Sequence, residues 1–119
     1  MAVNVHYLEN VTPDVEESCE VFSRSLGLDF GLPDVELGNA RVATMANGST
    51  MGIRAPLSDS EGPLSRTYLR VEDLDAATES ARAGGAKVAL AGMTLGSNGR
   101  ISIIVQGGVE VGFWELPKP

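Results

Sequence analysis

The sequence predicts an α+β fold of two repeated βαβββ units, whose strands join into a curved, cup-shaped mixed sheet with the helices on its outer face. Three observations lead there. Thr50-Met51-Gly52-Ile53-Arg54-Ala55-Pro56 and Glu110-Val111-Gly112-Phe113-Trp114-Glu115-Leu116 are similar apolar runs, and Gly52 and Gly112 stand sixty residues apart. Val11 and Val71 stand at the same separation. The order of strand-like and helix-like stretches in residues 1–56 recurs in residues 65–119, across a polar connector at 57–64 without periodicity.

In chain order, Val3, Val5 and Tyr7 alternate with Asn4, His6, Leu8 and Asn10, the period of a two-faced strand. Thr12-Pro13-Asp14 opens a helix. Threonine caps free amides, proline fits the first helical position, and Asp14, Glu16 and Glu17 suit the positive end of the dipole. Val15, Cys19, Phe22 and Leu26 form its apolar stripe, and Gly27 stops it. Residues 28–32 read as a short strand. A loop with Pro33, Asp34 and Gly38 follows, then strands at 41–45 and 49–55 around the hairpin signal Asn47-Gly48.

The second half repeats the order. Residues 66–71 form a strand, Asp73 caps a helix with Leu74, Ala77 and Ala81 along its inner face, and Gly84-Gly85 ends it. Strands at 87–91, 100–105 and 109–116 complete the unit, the last two joined through Gly107-Gly108.

A chain of 119 residues is enough for one domain. Its formal charge of -7 argues against nucleic acid as a partner, because phosphates need a basic surface. No apolar run approaches the roughly 20 residues that cross a membrane, and no basic-then-apolar leader opens the chain, so a cytoplasmic protein is expected. Cys19 is the only cysteine, which excludes an internal disulfide and a cysteine-built zinc site; it reads as core packing.

The two-residue period assigns faces. Val3, Val5 and Tyr7 are expected beneath the first helix, leaving His6 and Leu8 on the concave side. Trp114 and Leu116 are expected beneath the second, leaving Phe113 and Glu115 inside with Arg66, Tyr68 and Arg70, opposite Met51 and Ile53. Arg70, at its strand end, is within reach of solvent. An apolar floor with a few polar groups is the usual makeup of a small-molecule site.

Four features at this order and spacing resemble the vicinal oxygen chelate superfamily, which includes glyoxalase I, bleomycin-resistance proteins and extradiol dioxygenases. They are His6 followed five residues later by Val11, Phe22-Ser23-Arg24-Ser25-Leu26-Gly27-Leu28, Val71-Glu72-Asp73-Leu74-Asp75-Ala76-Ala77, and Trp114-Glu115-Leu116. The resemblance spans nearly the whole chain.

It implies that metal-dependent members take ligands from positions that here hold His6, Arg66, Ala55 (or Gly52) and Glu115. Ala55 and Gly52 offer no donor and Arg66 is a permanent cation, so His6 and Glu115 would be remnant ligands. The expectation is therefore no metal and no cofactor, with Arg66 in the metal's place, its fork paired with Glu115 and His6 a neutral hydrogen-bonding group beside them.

The expected function is metal-independent binding of a small organic ligand, by sequestration or carriage, through His6, Leu8, Met51, Ile53, Arg66, Tyr68, Phe113 and Glu115. The alternative is a lyase or isomerase of a small carbonyl compound, with His6 or Glu115 as base and Arg66 stabilising an enolate. A metal-dependent lyase or dioxygenase ranks third. The resemblance also implies a homodimer, without nucleic-acid or membrane partners.

Overall fold

The computed structural model describes residues 3–119, an α+β fold of two helices and seven strands in mixed pairing. The strands are β1 (Asn4–Val11), β2 (Arg41–Thr44), β3 (Thr50–Arg54), β4 (Leu64–Arg70), β5 (Lys87–Thr94), β6 (Arg100–Gln106) and β7 (Val109–Glu115). The helices are α1 (Val15–Leu26) and α2 (Leu74–Ala83), with 3-10 turns at Val35–Leu37 and Gly96–Asn98. Among the described residues no helix is long and apolar enough to cross a membrane. Two compact units emerge: Tyr7–Ser65, and the residues through His6 together with Arg66–Pro119. The division falls inside β1.

In the unit Tyr7–Ser65, β3 lies between an antiparallel β2 and a parallel β1. The Asn47-Gly48 turn closes the β2–β3 hairpin, with Asn47 Oδ1 accepting from Ser49 N–H at 3.0 Å and Gly48 at φ 89°. Helix α1 begins after Asp14, whose N–H donates to the Thr12 hydroxyl, and stops at Gly27, left-handed at φ 69°. Cys19 packs with Phe30, Ala43 and Ile53, flanked by Val15, Phe22, Leu28 and Met51. Leu26 leaves the expected stripe and is exposed. The expected strand at 28–32 does not form. Gly31 N–H bonds Val42 O at 2.9 Å, but Arg41 Nε donates to Gly31 O from the side, and Pro33 brings no N–H to continue a ladder.

Met51 and Ile53 pack against α1, so Gly52 and Arg54 point away from it. The Tyr7 ring lies over Gly52, its hydroxyl filling the space where a Cβ would stand. Glu9 is in register with Gly52 and ion-pairs with Arg54 at 2.9 Å. Tyr7 and Glu9 thus face away from α1 and Leu8, in register with Met51, faces it, the reverse of the expected assignment. Val5 is exposed instead of lying beneath a helix. Arg54 also holds Glu61 through two bonds of 2.9 and 2.8 Å, and Glu61 accepts from Leu57 N–H, which straps the connector to β3.

The other unit orders its strands β4-β7-β6-β5, with β4 and β7 parallel and the rest antiparallel. Asp73 caps α2 by accepting from Ala76 N–H at 3.0 Å. Leu74 and Thr78 are buried under the helix; the Thr78 hydroxyl donates to Leu74 O and pairs with the Ser102 hydroxyl at 2.8 Å. Ser102 is opposite Phe113, so Phe113 shares the α2 side, and Glu115 with it. The Tyr68 ring lies against Gly112 on the opposite face, where Trp114 also points. This reverses the expected assignment of Trp114, Phe113 and Glu115. The cause is Gly112: the only room for the Tyr68 ring is over the residue without a side chain.

A Cβ on Gly112 would strike Cγ and Cδ2 of the buried Tyr68 ring, the part that cannot swing away. Gly112→Ala is expected to cost about 1–3 kcal/mol, read as a lower urea midpoint at unchanged m. Gly52→Ala, which meets the phenol end of Tyr7 first, should cost less. A wild-type midpoint for Gly112→Ala would show that this packing does not set the face.

Candidate functional site

The polar cluster with the best chemistry belongs to the unit containing His6 and Arg66–Pro119. Arg66, Tyr68 and Arg70 alternate along β4 on the face away from α2, and β7 presents Glu110 and Trp114 on the same side. The Arg66 side chain is buried. Its Nη2 donates to Glu110 at 2.9 and 3.3 Å, and Nη1 lies 3.4 Å from the Tyr68 hydroxyl.

Trp114 is the hub of the rings. Tyr68 meets it edge-on at 5.5 Å between centroids, and His6 meets it at 4.8 Å and 66°. The indole N–H donates to Asn98 O at 2.9 Å, which fixes the ring to the 3-10 turn before β6. Gly99 makes that turn possible: at φ 108° it lets the Glu115 carbonyl approach where a side chain would stand.

Burial, and then the Arg70 guanidinium, lower the His6 pKa below its ordinary 6.5. The imidazole is therefore neutral at pH 7, with one N–H donor and one lone pair. Chemically the cluster offers a fixed guanidinium, a neutral imidazole, a phenol and an indole.

The structure joins His6 and Tyr68 to Trp114, and Arg66 to Tyr68 and Glu110. Glu115 is elsewhere. Its carboxylate accepts from Leu74 N–H at 3.0 Å and from Arg100 at 3.4 Å, serving the first turn of α2. The carboxylate that holds Arg66 is Glu110, where Glu115 was expected; alternation along β7 puts residues 110, 112 and 114 on the arginine's side. Phe113 faces α2, and Met51 and Ile53 belong to the α1 core of the other unit, with Leu8 on that same α1 side.

Glu110 and Trp114 are the members that sequence reasoning missed. A tyrosine and a glycine in register on parallel strands was the signal that would have assigned them. Cys19 is buried in the α1 core, and burial pushes its thiol pKa up, consistent with packing. Among the described residues, no three His, Cys, Asp or Glu side chains gather as a metal-binding set.

This architecture is the vicinal oxygen chelate fold, shared with methylmalonyl-CoA epimerases over nearly the whole chain. The epimerase from Mycobacterium tuberculosis aligns with a TM-score of 0.74 at 22% identity, covering 97% of this chain and 88% of that one. A Streptomyces coelicolor methylmalonyl-CoA epimerase variant in complex with 2-nitronate-propionyl-CoA aligns at 0.70 and 16%, covering 96% and 97%. A hypothetical protein from Bacillus halodurans C-125 gives 0.79 at 13%, covering 100% and 98%. No family model and no curated protein sequence matches the chain.

Two outcomes follow from the cluster. Glu110→Gln leaves the buried Arg66 charge with a weaker acceptor. Because Glu110 is itself 38% exposed, the expected loss is about 1–2 kcal/mol by chemical denaturation, below the usual cost of breaking a fully buried pair. His6 titrates lower in the folded chain than in the unfolded one, so its contribution to stability is complete above about pH 6.5 and is lost as pH falls through the lowered value. The urea midpoint should fall between about pH 7.5 and 5.5, and His6→Gln should flatten that slope. An unchanged slope would show that His6 titrates alike in both states.

Proposed function

We propose that this chain is a metal-independent small-molecule binding protein, acting by sequestration or carriage, with His6, Arg66 and Tyr68 as its contact groups around Trp114. The observation that carries this reading is Arg66, buried and held by Glu110 beside the Tyr68 hydroxyl, a fixed cation within the polar cluster. A divalent ion about 4 Å from that guanidinium would meet roughly 8 kcal/mol of repulsion at an effective dielectric of 20, before Glu110 offsets part of it. A fixed cation there does electrostatic work that an ion does in metal-dependent relatives. In this reading Met51, Ile53 and Leu8 support packing on the α1 side, and Phe113 does so toward α2.

The complex of a structurally similar epimerase with 2-nitronate-propionyl-CoA supports trying acyl thioesters among the ligands. The proposal includes a homodimer, supported by the superfamily resemblance and by exposed Leu32, Val35 and Leu57; light scattering checks it.

One observation favours a second reading, a lyase or isomerase of a small carbonyl compound. His6 is neutral and has a free-base form at pH 7, whereas Glu115 is engaged at both oxygens, so His6 is the better base of the two. Solvent deuterium entering a bound carbonyl compound, and ceasing in His6→Gln, would identify turnover.

The deciding experiment for the binding reading is metal content together with thermal melting. Ni, Zn, Mn or Fe(II) at about 100 times the dissociation constant of a specific site would add roughly 2.7 kcal/mol, or about 10 °C for a chain of this size. No such shift is expected with metals. A panel of acyl thioesters, carboxylates, phosphates and neutral aromatics is expected to yield a stabilising ligand. Stoichiometric metal with the full shift would overturn the proposal.

A further inference from the structure

The chain carries nine Lys and Arg against sixteen Asp and Glu, and six of its seven arginines meet a carboxylate. They are Arg24, Arg41, Arg54, Arg66, Arg82 and Arg100. Among the described residues Arg70 is the arginine that makes neither a hydrogen bond nor an ion pair, and it is exposed. Its backbone stands in register with Trp114, whose indole carries the His6 ring at 4.8 Å. On β7, the strand paired with β4, Glu110 is held by Arg66, and Glu115 by Leu74 N–H and Arg100. Glu72, two residues on, makes no pair with it.

We propose that Arg70 is the anchor of an oxyanion subsite that takes the carboxylate or phosphate group of the bound small molecule, beside the His6 and Trp114 rings. This rests on the binding reading above and names the ligand's chemistry. A guanidinium presents two parallel N–H groups that match a carboxylate or phosphate, and an arginine without an internal partner has that fork available. The net charge of the chain does not oppose it: at physiological salt, charges beyond about 8 Å are largely screened, and Glu110 and Glu115 on the paired strand already meet arginines. Burial, and then the Arg70 charge, lower the His6 pKa, in keeping with the guanidinium lying on the imidazole's side of the cluster. A bound oxyanion would meet the guanidinium as a counter-ion next to these rings.

The test titrates the full chain with malonate and, separately, inorganic phosphate at fixed ionic strength, with sodium chloride as the blank. Trp114 is the only tryptophan and His6 the only histidine, so indole fluorescence and the histidine ring signals in NMR each report one residue of this cluster. Saturable responses in both are expected with at least one of the two anions, and which anion binds identifies the head group. Arg70→Gln should weaken that binding by about tenfold or more, Arg70→Lys should restore part of it, and Arg24→Gln on α1 should leave it unchanged. Melting without ligand should be the same in Arg70→Gln, because no internal partner is lost. Equal affinity in Arg70→Gln, or no saturable response to either anion, would overturn the inference. A neutral panel ligand bound equally by wild type and Arg70→Gln overturns it too, while leaving the binding reading intact. A panel without any ligand removes both.

Discussion

A tyrosine ring lying over a glycine of the neighbouring parallel strand sets the faces in each unit. Tyr7 covers Gly52 and Tyr68 covers Gly112. Neither glycine needs an unusual backbone; what matters is the missing side chain, because the ring takes the volume a Cβ would have. Once the ring is seated, the two-residue period of the strand dictates everything along it. In one unit Met51 and Ile53 go to the α1 core and Arg54 to the other side. In the other unit Glu115 goes to α2, while Trp114 and Glu110 join Tyr68 and Arg66.

The charges then follow the faces. Each unit buries one arginine on the side away from its helix, and each arginine is held by glutamate. Arg54 uses two carboxylates and a carbonyl, so its donors are nearly exhausted inside the unit, and Glu61 turns that network into an anchor for the connector. Arg66 sits beside rings that can serve a ligand. Such pairs add little net stability over an apolar replacement, but removing one partner is costly. Arg54 is therefore best understood as architecture, and Arg66 as a cation held in one place. A carboxylate that accepts the first N–H of α2 is likewise architecture, which separates Glu115 from the site despite its position in the sequence.

Much of the fold was legible because local signals agreed. Asn47-Gly48, the Asp73 cap and the stop at Gly27 each have one physical meaning, and the structure uses each accordingly. The stretch 28–32 does not form the expected strand because pairing there is limited by Pro33 and by Arg41 reaching Gly31 O, contacts that its own residues do not announce. Face assignment failed for a different reason. Alternation says which residues share a side but not which side meets the helix, and that choice depends on contacts distant in sequence, such as Tyr68 with Gly112. Buried Thr78 and Ser102 were invisible for the same reason: two hydroxyls satisfy one another across α2 and β6, and neither is remarkable alone.

The repeat itself explains why the expected symmetric ligand set does not assemble. The glycines are sixty residues apart, but the tyrosines that cover them are sixty-one apart, at 7 and 68. The registers are also offset by one from sixty, in the other direction: Glu9 stands beside Gly52 and Tyr68 beside Gly112, and these two partners are fifty-nine residues apart, so the first strands are out of phase with the repeat of their glycines. Counted from the tyrosine His6 corresponds to Thr67, and counted from the strand registers to Ser65; neither is Arg66. A one-residue offset in a strand exchanges its faces, so matching His6 with Arg66 by the sixty-residue repeat pairs positions that the strands treat differently. On the last strands the same arithmetic holds Glu115 on the α2 side. The polar chemistry left around Trp114 is then an arginine with its own glutamate, a neutral imidazole and an unpaired arginine, a set suited to an anionic organic group by charge and by hydrogen-bond geometry.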